Sequence, residues 1–209
     1  NRVKIEGILS EIDLKYGSFQ KNGAPMKTIS GTIKVRVNLP IKEHITELEI
    51  PVHLFASEIT NAGKKNPSFE SIERIKNEYV SIAASDEERA DRVRITSGKL
   101  EMNEYSTDGE NLVSYPRIRA SFVTRIKKEE MTPEASFTSI FVIGAIAPET
   151  DREGNETGRY KVKGILPQYG GKVDLFDFYA ESEGVINAIS SYWNQGDTVR
   201  ANGRLMFSS

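Results

Sequence analysis

The sequence predicts a mainly β chain of two successive units, each a run of strands with one helix between its third and fourth strand. Three observations predict it. Apolar residues alternate with period 2 along most of the chain, each half contains one stretch that switches to helical spacing, and the halves repeat one another in the same order. The 209 residues suffice for one large domain or two small ones. With 38% apolar and 28% charged residues the composition belongs to a folded chain, which excludes low-complexity disorder.

The elements follow in order. Val3 to Leu9 reads as the first strand. From Thr28 to Asn38 the apolar residues Ile29, Ile33, Val35 and Val37 share one parity, which makes a half-buried strand. From Glu47 to Phe55, Leu48, Ile50, Val52 and Leu54 form one face and leave Glu49, His53 and Phe55 on the other. Pro51 cannot donate to a ladder, so an edge or a bulge is expected there. Over Pro67 to Tyr79 the spacing of Phe69, Ile72, Ile75 and Tyr79 becomes three and four, a helix for which Ser68 is the expected cap. Strands resume at Arg92 to Tyr105 and Leu112 to Ile126 across the Asp108-Gly109 turn. The charged, unpatterned stretch Lys127 to Ser136 reads as a linker. It separates a domain over residues 1–128 from one over 137–209. In the latter, Phe141 to Ala147, Arg159 to Leu166 and Val173 to Ala180 read as strands, Val185 to Tyr192 as a helix and Thr198 to Phe207 as a strand.

The repeat is visible residue by residue. GTIKVRVNLP, from Gly31, aligns without a gap on GRYKVKGILP, from Gly158, so Lys34 and Arg36 fall on Lys161 and Lys163. DRVRITSGKL, from Asp91, matches DTVRANGRL, from Asp197, and Ile5, Gly7 and Leu9 echo Val142, Gly144 and Ile146. Any one match could be chance among strands. Three in the same order indicate duplication.

Three strands, a helix and two strands, with glycines in the first and fourth strands, resemble the OB-fold, a five-stranded Greek-key barrel. The opening NRVKIEGIL, with Lys15-Tyr16 and Asn22-Gly23 before the second strand, is similar to the start of bacterial and phage single-stranded DNA-binding proteins. INAISSYWNQGDTVRANGRL, from Ile186, resembles their helix and fourth strand. The resemblance implies two tandem OB-fold barrels of a phage or plasmid type, a departure from the one-domain bacterial form. It implies non-specific binding and protection of single-stranded DNA in replication or recombination, in a host cytoplasm. A structural or assembly module without nucleic-acid binding is the alternative.

Binding single strands needs cations for phosphates and aromatic faces for bases. Candidates on the polar strand faces are Lys34, Arg36, His53 and Phe55, with Tyr160, Lys161 and Lys163 in the second unit. Tyr16, Phe19, Lys21 and Lys27 belong to a segment expected to be a mobile loop acting as a clamp. Tyr105, Tyr115, Arg117 and Arg119 lie on the hairpin after the helix. Solvated strand faces and ordinary loop packing are the competing readings. Among the remaining aromatics of the second unit several are expected in the core, and Trp193 is expected to pack at its helix end.

Other chemistries find little footing. Net charge is −2, residues 1–130 carrying one net positive charge and residues 131–209 three net negative. The absence of cysteine excludes disulfides, thiolate metal sites and cysteine nucleophiles, and favours a reducing compartment. His44 and His53 are the only histidines, and no phosphate-loop, serine-elbow or zincin spacing occurs, so no catalysis, cofactor or metal is expected. No apolar stretch approaches membrane-spanning length, and no membrane partner is expected. The second unit is expected to lack its fifth strand. The chain opens on asparagine and is expected to continue natively past Ser209 into a tail that recruits replication or recombination proteins.

Overall fold

The structure, a computed structural model, describes residues 1–106 and 108–207. Thr107, beside the Asp108-Gly109 turn, and Ser208 and Ser209, at the expected end of the second unit, lie outside the described residues. The order is β1 (Arg2–Lys21), β2 (Ala24–Ile41), β3 (His44–Ser57), α1 (Pro67–Glu78), β4 (Arg92–Ser106), β5 (Leu112–Ala120), β6 (Thr124–Ile126), β7 (Glu134–Thr150), β8 (Glu156–Pro167), β9 (Val173–Ala180), α2 (Glu183–Tyr192) and β10 (Thr198–Arg204). The chain is mainly β. Both helices stand where the change of period predicts them, between the third and fourth strands of each repeat.

Two compact units form, each from separated segments. The larger holds Arg2–Leu100, Arg117–Phe137 and the described residues from Gly203 to Phe207; the smaller holds the described residues of Glu101–Pro116 and Thr138–Asn202, together with Asn1. In the larger unit β1 pairs with β2 and with β4, β2 pairs with β3, and β3 pairs in parallel with β5 through Val52↔Ile118. β4 also pairs with β6. Its core is aliphatic, with Ile5, Ile33, Ile50, Val52, Val93 and Ile95 at most 1% exposed and the α1 residues Phe69, Ile72 and Ile75 packed into it. Burial of each such side chain contributes about 1.5–3 kcal/mol.

In the smaller unit β8 lies between β7 and β9, and β10 pairs with β7. Its core is built on an aromatic stack. Phe141 and Phe178 lie with ring centroids 4.4 Å apart and nearly parallel, and Trp193 meets Phe141 edge-on at 6.3 Å. Gly164 makes that stack fit, because a Cβ there would lie 2.8 Å from Phe141 Cδ2 and against the Phe178 ring. The outer part of the β4–β5 hairpin belongs to this unit, where the Met102 N–H donates to the Asp174 carboxylate of β9 at 3.0 Å and Lys172 Nζ donates to the Met102 carbonyl.

Four local expectations are corrected. The Tyr16 to Lys27 segment is a two-stranded arm, paired as far as Lys21↔Ala24 and closed by Asn22 and Gly23 at φ 51° and 78°, the backbone a tight hairpin turn requires. Asn66, not Ser68, caps α1: its side-chain oxygen accepts the Ser68 N–H, and Pro67 occupies the first helical position. The strand expected over Leu112 to Ile126 breaks after Ala120, so that Val123 turns into the core and Thr124–Ile126 reaches β4. The stretch read as linker is a short 3-10 turn at Lys128–Glu130, and the Thr132 N–H is held by the Glu6 carboxylate before β7 begins at Glu134.

Candidate nucleic-acid interface

The repeat found in the sequence is a repeat of register. In the first copy Leu9 faces Val35 and Ile8 faces Arg36; in the second Ile146 faces Val162 and Ala145 faces Lys163. Val35 continues to Ile50 and Arg36 to Glu49, while Val162 continues to Phe178 and Lys163 to Asp177. The bulges differ, since β1 skips Ser10 where β7 skips Gly144. Gly7 and Gly144 nevertheless meet equivalent backbone: a Cβ on Gly7 would run into the Arg36 carbonyl, and one on Gly144 would lie 3.3 Å from that of Lys163.

On the outward face of β2 and β3 the candidate cations are held by acids. Lys34 Nζ donates to Glu11 at 2.7 Å, a hydrogen bond that pushes its pKa up. Arg36 Nε donates to Glu49 at 2.6 Å, with Glu47 at 3.5 Å and Glu87 at 3.8 Å from the guanidinium, and its pKa rises chiefly through Glu49. Farther along the face, cross-strand rows place Ser30 beside Phe55, and Thr32 beside His53 and then Arg119. Phe55 is 48% exposed, with only the small Ser30 opposite it on β2. Arg117 sits two residues before Arg119, on the same face of β5 and opposite the buried Ile118 and Ala120.

On the β1–β2 arm, Tyr16 donates its hydroxyl to Glu73 of α1 at 2.7 Å, which raises its pKa. Its ring tilts against Phe69, and Lys27 Nζ lies 4.6 Å from the ring centre. Lys21 Nζ donates to the Asn61 side chain, while Phe19 is exposed opposite Met26. The arm thus places Tyr16 and Lys27 against the helix and leaves Phe19 toward solvent.

In the smaller unit the hairpin presents Tyr105 and Tyr115, 44% and 42% exposed, edge to face at 6.1 Å. Its turn is tied by Asp108, whose carboxylate accepts the Asn111 and Glu110 N–H groups and the Asn111 amide; these bonds hold its pKa at about 2. Tyr160 is half-buried against the aromatic core. Lys161 and Lys163 point outward from β8. Lys161 reaches Asp177 only at 4.0 Å, and Lys163 makes no ion pair among the described residues. Sequence reasoning left two neighbours unassigned. Tyr179, opposite Lys161, is 43% exposed with the Arg159 guanidinium over its ring at 4.8 Å; Leu175, opposite Ile165, is 54% exposed. In Val173–Ala180, Asp174 and Asp177 fall on opposite parities among apolar residues, so the alternation satisfied neither face cleanly and hid which residues face outward. Trp193 packs at the end of α2, as expected.

No described helix is long and apolar enough to cross a membrane, and among the described residues no cluster of His, Asp or Glu side chains is arranged to hold a metal. The fold is shared with solved structures. The single-stranded DNA-binding protein of Thermus aquaticus superposes with a TM-score of 0.57 at 14% identity, over 98% of this chain and 84% of that one. A deletion mutant of the Thermus aquaticus protein gives 0.56 at 14% identity, over 98% and 85%. At that identity the likeness is one of fold. No curated protein matches the chain in sequence. The sequence profile of the YorF family matches residues 1–208, and the chain belongs to the YorF family.

Proposed function

We propose that this protein binds single-stranded DNA without sequence preference and protects it in replication or recombination, acting as a binder and not as an enzyme. The observation that carries the reading is the outward placement of aromatic rings near cations: Phe55 next to the row in which His53 meets the cation Arg119 in the larger unit, and Tyr179 beside Lys161 in the smaller. Stacking on such rings stabilises a bound strand by about 1–3 kcal/mol per base and is indifferent to which base stacks. The solved structures of the same fold are single-stranded DNA-binding proteins, which adds support.

The reading includes two tandem OB-fold barrels, of the phage or plasmid type that the sequence resembles. The ladders of the larger unit favour it: β1, β2, β3, β5 and β4 follow one another, and β4 returns to β1. Titration with labelled oligo-dT at two salt concentrations tests the function. Binding that weakens as salt rises is expected, with a slope of about 0.7 per phosphate neutralised. No binding at low salt overturns the reading.

A further inference from the structure

We infer that the two repeats are unequal binders, the phosphate backbone being held mainly on the β8 face of the smaller unit, around Lys161 and Lys163. The inference rests on the single-stranded DNA reading and divides its work within the chain.

The shared register makes the comparison position by position. Lys34 is flanked by Glu11 and Pro51; its equivalent Lys161 is flanked by Ala147 and Tyr179. Arg36 is flanked by Ile8 and Glu49; Lys163 is flanked by Ala145 and Asp177. One row on, Asn38 faces Glu47 where Ile165 faces Leu175. Three acids in the rows around the first pair of cations therefore become one in the rows around the second, where Glu149, bound to Arg159, also acts on Lys161. Glu87 adds a fourth near Arg36.

A phosphate approaching Lys34 or Arg36 must displace carboxylates at 2.6–2.7 Å and is repelled by those it does not displace. At Lys161 and Lys163 it meets two exposed ammonium groups, an aspartate at 4.0 Å from one of them, and Glu149, whose carboxylate is already held by Arg159 at 2.6 Å. The substitutions also change what lies beside the cations. Ala145 and Ala147 leave room along β7, while Tyr179 and Leu175 offer apolar faces to bases, so phosphate and base contacts lie on one open strand surface.

The test uses the whole chain and a labelled oligo-dT at low and moderate salt, with melting temperatures measured for every variant. The pair Lys161→Gln and Lys163→Gln should lower affinity about tenfold or more at low salt and reduce the salt slope by about 1.4. Lys34→Gln with Arg36→Gln should cost less than about threefold. Moving the acid gives a second reading that needs no loss of lysine: Ala147→Glu should weaken binding severalfold, and Glu11→Ala, by releasing Lys34, should strengthen it. Binding that falls equally or more in the Lys34 and Arg36 variant, without loss of melting temperature, overturns the inference and leaves the proposed function standing. A wild-type chain that binds no oligonucleotide at low salt overturns both.

Discussion

The two repeats share a register and differ in what fills it. Ile50, wholly buried among aliphatic side chains in the larger unit, stands where Phe178 stacks on Phe141 in the smaller, and Val37 stands where Gly164 clears space for that stack. On the outside, acid-clamped Lys34 and Arg36 stand where Lys161 and Lys163 are open. The backbone pattern constrains both copies alike, because a one-residue slip would turn every buried side chain outward. Neither the filling of the core nor the charges on the outer face are so constrained. A duplicated fold can therefore diverge in packing and in electrostatics while its ladders stay in step.

The sharpest way to break the comparison is to empty the aromatic core. Phe141→Ala should destabilise the protein by about 3–5 kcal/mol, read as a fall in the denaturation midpoint, because a rigid stack collapses poorly around a void. A loss under about 1 kcal/mol would mean that Phe178 and Trp193 refill the space and that the core is not held by the stack.

The equivalent glycines offer a graded contrast. Gly7→Ala should cost roughly 3 kcal/mol, since its Cβ runs into the backbone carbonyl of Arg36, and Gly144→Ala about 1 kcal/mol, since its Cβ stays 3.3 Å from that of Lys163. Equal costs would show that β1 and β7 approach their neighbours alike.

Acid stability compares a buried and a more open clamp. Glu6 accepts from Arg94 and from the Thr132 N–H; the Arg94 bond, the largest cause, and the Thr132 bond hold its pKa below the ordinary 4.5. Glu149 is likewise lowered, first by Arg159 and then by Thr157. A lowered carboxylate stabilises the folded state in full above its unfolded pKa. That contribution fades as the pH falls below 4.5 and is lost once it passes the lowered folded value. Glu6→Gln should cost about 1–3 kcal/mol at neutral pH and flatten the loss of stability as the pH falls below 4.5. An unchanged slope would place the acid sensitivity elsewhere.

The smallest effects separate binding from packing among exposed rings. Phe55→Ala should weaken oligonucleotide binding by about 1–3 kcal/mol and leave melting unchanged. Tyr16→Ala should lower the melting temperature by a few degrees, because Tyr16 ties the arm to α1 through Glu73 and Phe69. If Phe55→Ala melts early and binds normally, its ring serves packing alone.

The phases of β2 and β3, both helices, the repeat and the pairing of Lys34 and Arg36 with Lys161 and Lys163 were determined by the sequence itself, because periodicity and register are local properties of a pleated chain. The Asn22-Gly23 turn was legible too, as a two-residue hairpin signal, but the polar, glycine-bearing stretch around it reads equally as a loop. Long-range packing decided the rest. That Glu11, Glu47, Glu49 and Glu87 converge on two cations, that Val123 turns inward and breaks a strand, and that the β4–β5 hairpin packs with β9 through Met102 and Asp174 all bring together residues distant in sequence. A cation's partners across strands depend on where three chain segments meet. Composition and spacing within any one of them hold no record of that meeting.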